Sequence, residues 1–590
     1  MKAKLFAAAA AAPAMLVWMA LRTPQAARAQ ADESVIQLRI GVGFSDEAAR
    51  SWEGRISVAG GQLAGIEGWR FSLEDRVEKD GTFRFQTRAA SFGSQPRPPF
   101  PYPPAEWIDP NPRRPIPQGL ILRVRGEGSR IGFTASSGEF EFRVSDVPLH
   151  RVVEVLGGNG RVERIANEVR LSEDGWADDE PAVAIGPQGE RWVAWLSYQG
   201  QGDYVAVSDG GQPVRVTDKG DHNGPAITVD PRGWVHVAYS EKVGDEYHLY
   251  MTTRALGRWT QARRMSPPGT SNLHPRLAAD GKGRIALVWQ ALRDGQSVIL
   301  MRLFDGRAWG EAVQLNEDQG NAWSPAAAFG GGKLWIAWDS YSSGAYQIYA
   351  REAGGPVERV TAGGSFSVRP SVAAAADGTP VVAWEESDGL WGKDYAFLVD
   401  RRGTSLYKNR RIRVGYREGS QWRELPGDTA QSVPAELRRF VQQPQIALDD
   451  ASGALLMAFR CRTSAGTARV DQWASQGRWE SFLTRWQGDR WATATPLPHS
   501  TGRNSMRVSL AAAKNVAHLV WTTDGRPWQE TAYGDLDIYA ARLTTAGGAH
   551  PLRGGKAITA PPAEAARTPA NYHQDGAGTR VGFAVRPGRP

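Results

Sequence analysis

Three carboxylates stand just past tryptophans that close apolar runs: Asp339 after Trp338, and Glu385 with Glu386 after Trp384. Two facing carboxyl groups are the machinery of glycoside hydrolysis, provided their separation is right. Three arginines hold related places. Arg369 and Arg507 directly precede apolar runs, and Arg460 directly follows Phe459. Guanidinium groups so clustered suit an anion, because each offers a planar fork of donors. Trp323 and Trp391 carry ring faces large enough to stack on a sugar, and His274 adds a polar ring beside Pro275. The competing reading is that these arginines and carboxylates simply pair with one another as solvated charge.

Other reactive types are sparse. His222 in KGDHNGP and His274 in SNLHP show neither a His-x-His pattern nor the carboxylate spacing of a metal site, so no metal site and no cofactor is expected. Cys461 is the only cysteine, so no internal disulfide is expected, and it reads as a strand residue.

What must position these side chains is a repeat. Six copies open on a proline: PAVAIGPQGERWVAW at Pro181, PAITVDPRGWVHVAY at Pro225, PRLAADGKGRIALVW at Pro275, PAAAFGGGKLWIAW at Pro325, PSVAAAADGTPVVAW at Pro370 and PQIALDDASGALLMAF at Pro444. A seventh, VSLAAAKNVAHLVW, begins at Val508 without one. Each is an alternating apolar strand, a Gly- or Asp-rich turn and a second strand ending on an aromatic: Trp195, Tyr239, Trp289, Trp338, Trp384, Phe459 or Trp521. Third strands such as YQIYAR and fourth strands such as VRVT and VQLN follow. Four short strands at a period of 44 to 50 residues describe a propeller blade. EVRLSE at Glu168 precedes the first copy and resembles a fourth strand, while the seventh copy has only three clear strands, so a three-plus-one closure is expected. On this reading each proline opens a strand, where its missing donor costs least.

In a propeller, residues before each first strand and after each second-strand aromatic share one face. Here these are Glu180, Gly224, His274, Ser324, Arg369, Gln443 and Arg507, then Leu196, Ser240, Gln290, Asp339, Glu385, Arg460 and Thr522. Most are polar, which describes a concave ligand face on a rigid support. Inserted segments around WGKDY and Gly427–Gln443 join it, and PAELRRF within the second reads as a short lidding helix.

Upstream, TFRFQTR, LILRVR and GEFEFRV alternate with period two and predict a β-sandwich over 30–160. It is interrupted at 96–117, where ten of 22 residues are proline, an extended loop carrying Phe100, Tyr102 and Trp107. Residues 1–29 read as a secretory signal peptide: Lys2 and Lys4, an apolar run, and ARA at 27–29. They hold four basic residues and no acid, so the net charge of +7 falls to +3 without them. Residues 553–590 hold six basic residues against two acids, or +4, leaving the body near −1; nothing points to nucleic acid. No later run is apolar for long enough to span a bilayer.

WEGRISVAGGQLAGIEGWRF, the Trp-rich repeats and LPHSTGRNSM resemble a group of secreted bacterial proteins in which a propeller precedes a PHP-like metal-dependent domain. That resemblance implies architecture more than activity. The His-rich motif of the downstream domain has no counterpart after Leu543, so its chemistry is not implied here, unless this chain is the front half of such a hydrolase. The repeats also resemble sialidase-like propellers. Such an enzyme needs a Tyr–Glu nucleophile pair and an Asp acid, and its Ser-x-Asp-x-Gly-x-x-Trp turns have only distant counterparts at Ser208 and Thr522.

The expected molecule is thus all-β: a sandwich at 30–160, a seven-bladed propeller at 161–552 closed three-plus-one, and a disordered tail at 553–590. It is expected to be exported to the periplasm or beyond and to bind a carbohydrate or protein ligand. His274, Arg369, Arg460, Arg507, Trp323 and Trp391 are the candidate binders, with Asp339, Glu385 and Glu386 as acid or base candidates for a glycoside hydrolase.

Overall fold

The computed structural model describes residues 33–40, 52–69, 72–77, 83–88, 118–126, 128–135, 138–147, 152–155, 160–165, 167–172, 177–198, 202–317, 320–342, 345–363, 365–387, 411–433, 440–463, 478–497, 505–523, 536–545, 548 and 550–559. The leader reading at 1–29, the proline-rich segment at 96–117 and Trp391 lie outside them. The regular structure of the described residues is strand, apart from two short 3-10 turns, with no α-helix among them. No helix among them is long and apolar enough to cross a membrane.

The strands form nine antiparallel sheets. The first two, of five strands each, draw on residues 33–165. One orders Gln62–Trp69, Gln118–Arg125, Glu33–Ile40, Gly160–Ile165 and Val152–Val155; the other orders Ser72–Val77, Phe83–Arg88, Trp52–Ala59, Arg130–Ala135 and Gly138–Arg143.

The other seven sheets follow in chain order and are called one to seven. Their first strands are Ala177–Ile185, His222–Val229, Ser271–Ala279, Ala322–Gly330, Phe366–Ala374, Phe440–Leu448 and Ser505–Ala513. In sheets one to six the second, third and fourth strands follow as a meander. In sheet seven the outer strand is Asn167–Arg170, which runs antiparallel to Asp537–Thr544.

The second-strand aromatics are buried, and each packs on the sheet before it. Tyr239 lies against Val205 and Val207 of sheet one, Trp338 against Ala286 and Val288 of sheet three, and Trp521 against Leu456 and Leu483 of sheet six. Trp195 of sheet one packs on Val520, Ile538 and Ala540 of sheet seven. Removing one such ring from water contributes roughly 1.5–3 kcal/mol. Four of the aromatics also stack on an aromatic of the adjoining third strand: Tyr239 on Tyr250, Trp338 on Tyr349, Phe459 on Phe482 and Trp521 on Tyr539.

The prolines do not open their strands. Pro181, Pro225, Pro275, Pro325, Pro370 and Pro444 sit inside them, each within a β-bulge. The physical reason is that proline has no N–H to give the ladder. The ladder skips the X–Pro pair, and two residues oppose the single aromatic. The residue before proline takes a left-handed backbone: Glu180 at φ 58°, Gly224 at 57°, His274 at 53°, Ser324 at 52°, Arg369 at 53° and Gln443 at 53°. In sheet seven Val508 keeps its N–H and pairs with Trp521, so the skipped pair moves back to Met506 and Arg507.

Two segments differ from expectation. Residues 427–433 of the 427–443 insertion hold a 3-10 turn at Thr429–Ser432, capped by Asp428 and followed by Val433, which is buried with Ile412 and Val441, and residues 440–443 belong to the first strand of sheet six. The expected PAELRRF helix lies mostly outside the described residues. The tail, expected to be unstructured from 553, remains bound as far as Ile558. After Thr545 the chain crosses sheet six, where the Trp486 indole donates to the Pro551 carbonyl at 3.2 Å and Leu552 packs on the core. It then adds Lys556–Ala557 as a fifth strand to sheet five beside Gln421–Glu424, and the Ile558 amide donates to Trp422 at 2.9 Å.

Candidate functional site

The left-handed bulges build the site. A residue at positive φ turns its own N–H out of the ladder, and that donor needs an acceptor. In three places a carboxylate of the preceding sheet supplies it. Glu180 Oε2 accepts from the Gly224 amide at 2.6 Å, Asp339 Oδ1 from the Arg369 amide at 3.2 Å, and Glu385 Oε1 from the Gln443 amide at 2.7 Å. Asp339 and Glu385 follow the second-strand aromatics directly, so their register puts them level with the next bulge.

The arginines gather on the same end. Arg369 Nη1 donates to both oxygens of Glu385 at 3.2 Å. Arg507 Nη1 donates to Glu180 Oε1 at 2.9 Å, and its Nε lies 3.6 Å from Asp179, which also accepts from the Thr522 hydroxyl at 3.0 Å. Arg460 is buried and donates to the Gln443 side-chain oxygen at 3.0 Å. The side chains of Arg369 and Arg507 keep 41% and 44% exposure, whereas that of Glu385 keeps 1%.

Charge at this end is uneven. Burial opposes the Arg507 guanidinium, but Glu180 and Asp179 outweigh it and raise its pKa. Arg460 goes the other way: burial, then Arg507 and Arg369, lower it to about 9 against the opposing pull of Glu385 and Asp179. Burial, Arg276 and Arg507 lower His274 to about 4, with Glu180 opposing, so its imidazole is neutral at physiological pH. Arg276 is also lowered, by burial first, although Glu180 opposes and its surface meets solvent.

Of the candidates read from sequence, Asp339, Glu385, Arg369, Arg460, Arg507 and His274 fall on this end. Glu386 does not join Glu385. Adjacent strand residues point to opposite faces, and Glu386 is held by Arg411 and by Arg413 Nε at 3.1 Å. Trp323 is only 2% exposed, packed on Tyr346, so it offers no ring face to a sugar. His222 is buried and both its backbone amide and its Nδ1 meet Asp203 Oδ1, at 2.8 and 2.7 Å. Among the described residues no group of three or more His, Cys, Asp or Glu could hold a metal ion.

Arg276 and Asp179 were not singled out from sequence. Arg276 had a signal: the slot after the proline holds Ala182, Ala226, Ala326, Ser371 and Gln445 in the other copies, and a long cation there breaks the pattern. Asp179 had none, since its role follows from where Arg507 arrives.

No known protein family matches the chain, and no curated protein does. Several solved structures are similar to it. An ulvan lyase of polysaccharide lyase family PL25, bound to -[GlcA(1-4)Rha3S]-, is 12% identical, covers 68% of this chain and 100% of its own, and has a TM-score of 0.42. A subtype N10 neuraminidase-like protein of the isolate A/little yellow-shouldered bat/Guatemala/060/2010 is 8% identical over 64% of this chain and 98% of its own, with a TM-score of 0.33. The GH93 α-L-arabinofuranosidase of Fusarium graminearum, in complex with arabinobiose, is 14% identical over 64% of this chain and 96% of its own, with a TM-score of 0.35.

Proposed function

We propose that this chain is an exported β-propeller binding protein whose polar mouth takes an anionic ligand, a carbohydrate in first place. On this reading sheets one to seven are its blades, Asn167–Arg170 closes the seventh in three-plus-one fashion, and the two five-stranded sheets form an N-terminal β-sandwich. The packing of each aromatic on the preceding sheet, with Trp195 on sheet seven, supports closure. The left-handed residues then line one mouth.

The observation that carries the function is the setting of Arg460. It is a buried guanidinium, depressed to about 9 by burial first and then by the neighbouring charges of Arg507 and Arg369. A ligand anion placed there would relieve that repulsion, and two exposed guanidiniums stand ready to share it. Binding of trigalacturonate to the mature chain, followed by calorimetry, tests this. Arg369→Ala and Arg507→Ala should each weaken it about tenfold or more. No heat with trigalacturonate, sulfate or a glutamate tripeptide would rule the reading out.

Glycoside hydrolysis is the second reading, favoured by the acidic side chains Asp339 and Glu385 at the same end. Both accept backbone amides, and Glu385 also accepts from Arg369. That setting suits a clamp better than a proton donor. Turnover of any chromogenic glycoside that Glu385→Gln abolishes would reverse the preference.

A further inference from the structure

One hairpin of sheet two breaks the rule that turn tips are polar. The third strand, Glu246–Ala255, returns through Leu256 and Gly257 into Arg258–Trp259, and Arg263–Arg264 pairs with the same strand at Tyr250 and Met251. The ladder sets Ser240 beside Asn223 and Val235 beside Arg254, so Leu256 lies at the end of the sheet away from Gly224. Leu256 and Gly257 take φ 49° and 80°, a two-residue turn with both central residues left-handed. Positive φ at two successive residues recurs at Asp294–Gly295 and Lys514–Asn515, where the first residue is polar. The tips joining third to fourth strands in sheets one and three hold Asp209–Gly210 and Asp305–Gly306. A leucine in this turn meets the steric cost of the left-handed region and, at 92% exposure, recovers nothing by burial.

Charge around this tip has one sign. Residues 247–279 contain five arginines and no acid. Four of them, Arg254, Arg258, Arg263 and Arg264, belong to this hairpin and its outer strand, and the last three are exposed. The acids that bound the segment in neighbouring turns are held elsewhere, Asp230 by Arg232 and Asp280 by Arg284. Arg254 lies over the Trp192 ring at 5.1 Å, and Arg264 Nη2 donates to the Pro267 carbonyl at 3.2 Å; neither contact cancels a charge. Behind the tip, Trp259 is half-buried on the core that holds Trp192, which gives the hairpin a firm base.

We propose that the Leu256 hairpin docks the protein on an anionic phospholipid bilayer, with Leu256 entering the acyl boundary and Arg258, Arg263 and Arg264 meeting lipid phosphates. An apolar tip ringed by cations matches the layering of such a surface, where phosphates lie above the hydrocarbon. A protein partner would need a socket shaped for one side chain standing alone on a two-residue turn. A bilayer gives apolar depth to any side chain that protrudes and needs no socket. Docking by this end leaves the arginine-bearing mouth facing away from the membrane, so the two sites act independently.

Co-sedimentation of the mature chain with vesicles of phosphatidylglycerol and phosphatidylcholine, against vesicles of phosphatidylcholine alone, tests this. The parent should partition at least tenfold more strongly onto the anionic vesicles, and less so as salt is added. Leu256→Asn suits the left-handed turn, so the fold is kept, and it should weaken partitioning about tenfold, whereas Leu256→Phe should retain it. Arg258→Ala with Arg263→Ala should also cost about tenfold. Arg507→Ala, at the mouth, should bind vesicles like the parent. If Leu256→Asn partitions like the parent, the tip does not insert and the proposal is wrong. Loss with Arg507→Ala alone would move lipid binding to the mouth and overturn it too. So would equal partitioning onto both kinds of vesicle, or none onto either.

Discussion

At the residue scale, the site is made by backbone conformation as much as by side chains. Five non-glycine residues are held near φ 55°, each at a cost of about 1–2 kcal/mol, which the flanking ladder sustains. Ser324 isolates that cost, because its side chain is small and uncharged. Ser324→Val should lower unfolding free energy by about 2 kcal/mol, since a β-branched residue fits this region worst, while Ser324→Gly should stay within about 1 kcal/mol of the parent. Urea titration of the two variants measures both. Glu385 is a different case: it holds the Gln443 amide and Arg369 together, so Glu385→Gln should keep the amide bond, loosen Arg369 and leave Arg460 facing more uncompensated charge. The expected result is a less stable protein whose deficit shrinks on adding sulfate, read as a melting shift.

At the element scale, the repeat was legible and its kink was not. The alternation from Pro275 to Trp289 reads directly as strand, turn and strand, and these residues lie in Ser271–Ala279 and Ile285–Arg293. A period-two pattern cannot register a bulge, because the residues on each side still alternate apolar and polar. The proline was visible, but a missing donor fits a strand's start as well as a skipped rung inside it. Likewise the carboxylates Asp339 and Glu385 were visible, whereas their amide partners lie one sheet away, 30 and 58 residues along the chain. The strand at Lys556–Ala557 was hidden for a plainer reason. Its surroundings are rich in Gly, Ala and Pro, and only Ile558, packed among the residues of sheets four and five, marks it as bound. Ile558→Asp should release it. Hydrogen exchange at the edge strand Gln421–Glu424 should then quicken at least tenfold, with the inner strands of sheet five unaffected.

At the scale of the whole molecule, acid should find the seams between sheets first. His518 of sheet seven is buried and meets the Gly189 carbonyl of sheet one at 3.1 Å. Burial chiefly, with Arg191 and Arg542, lowers it from 6.5 to about 4, with the Gly189 bond opposing. Above about pH 6.5 both folded and unfolded chains leave it neutral. Between 6.5 and 4 the unfolded chain takes up a proton that the folded one refuses, so stability falls as pH falls through that window. His518→Gln should flatten that limb, and His274→Gln should flatten it further; thermal melts from pH 7 to 4 check both. The same seam has a consequence in time. Ser172 bonds to Ile538 across 366 residues, and Asn167–Arg170 waits for Asp537–Thr544 as its partner. At about 5–20 residues per second, synthesis leaves that early strand unmatched for roughly 20–70 s. Throughout that interval the growing chain carries a strand whose ladder partner does not yet exist, open to pairing with the wrong one.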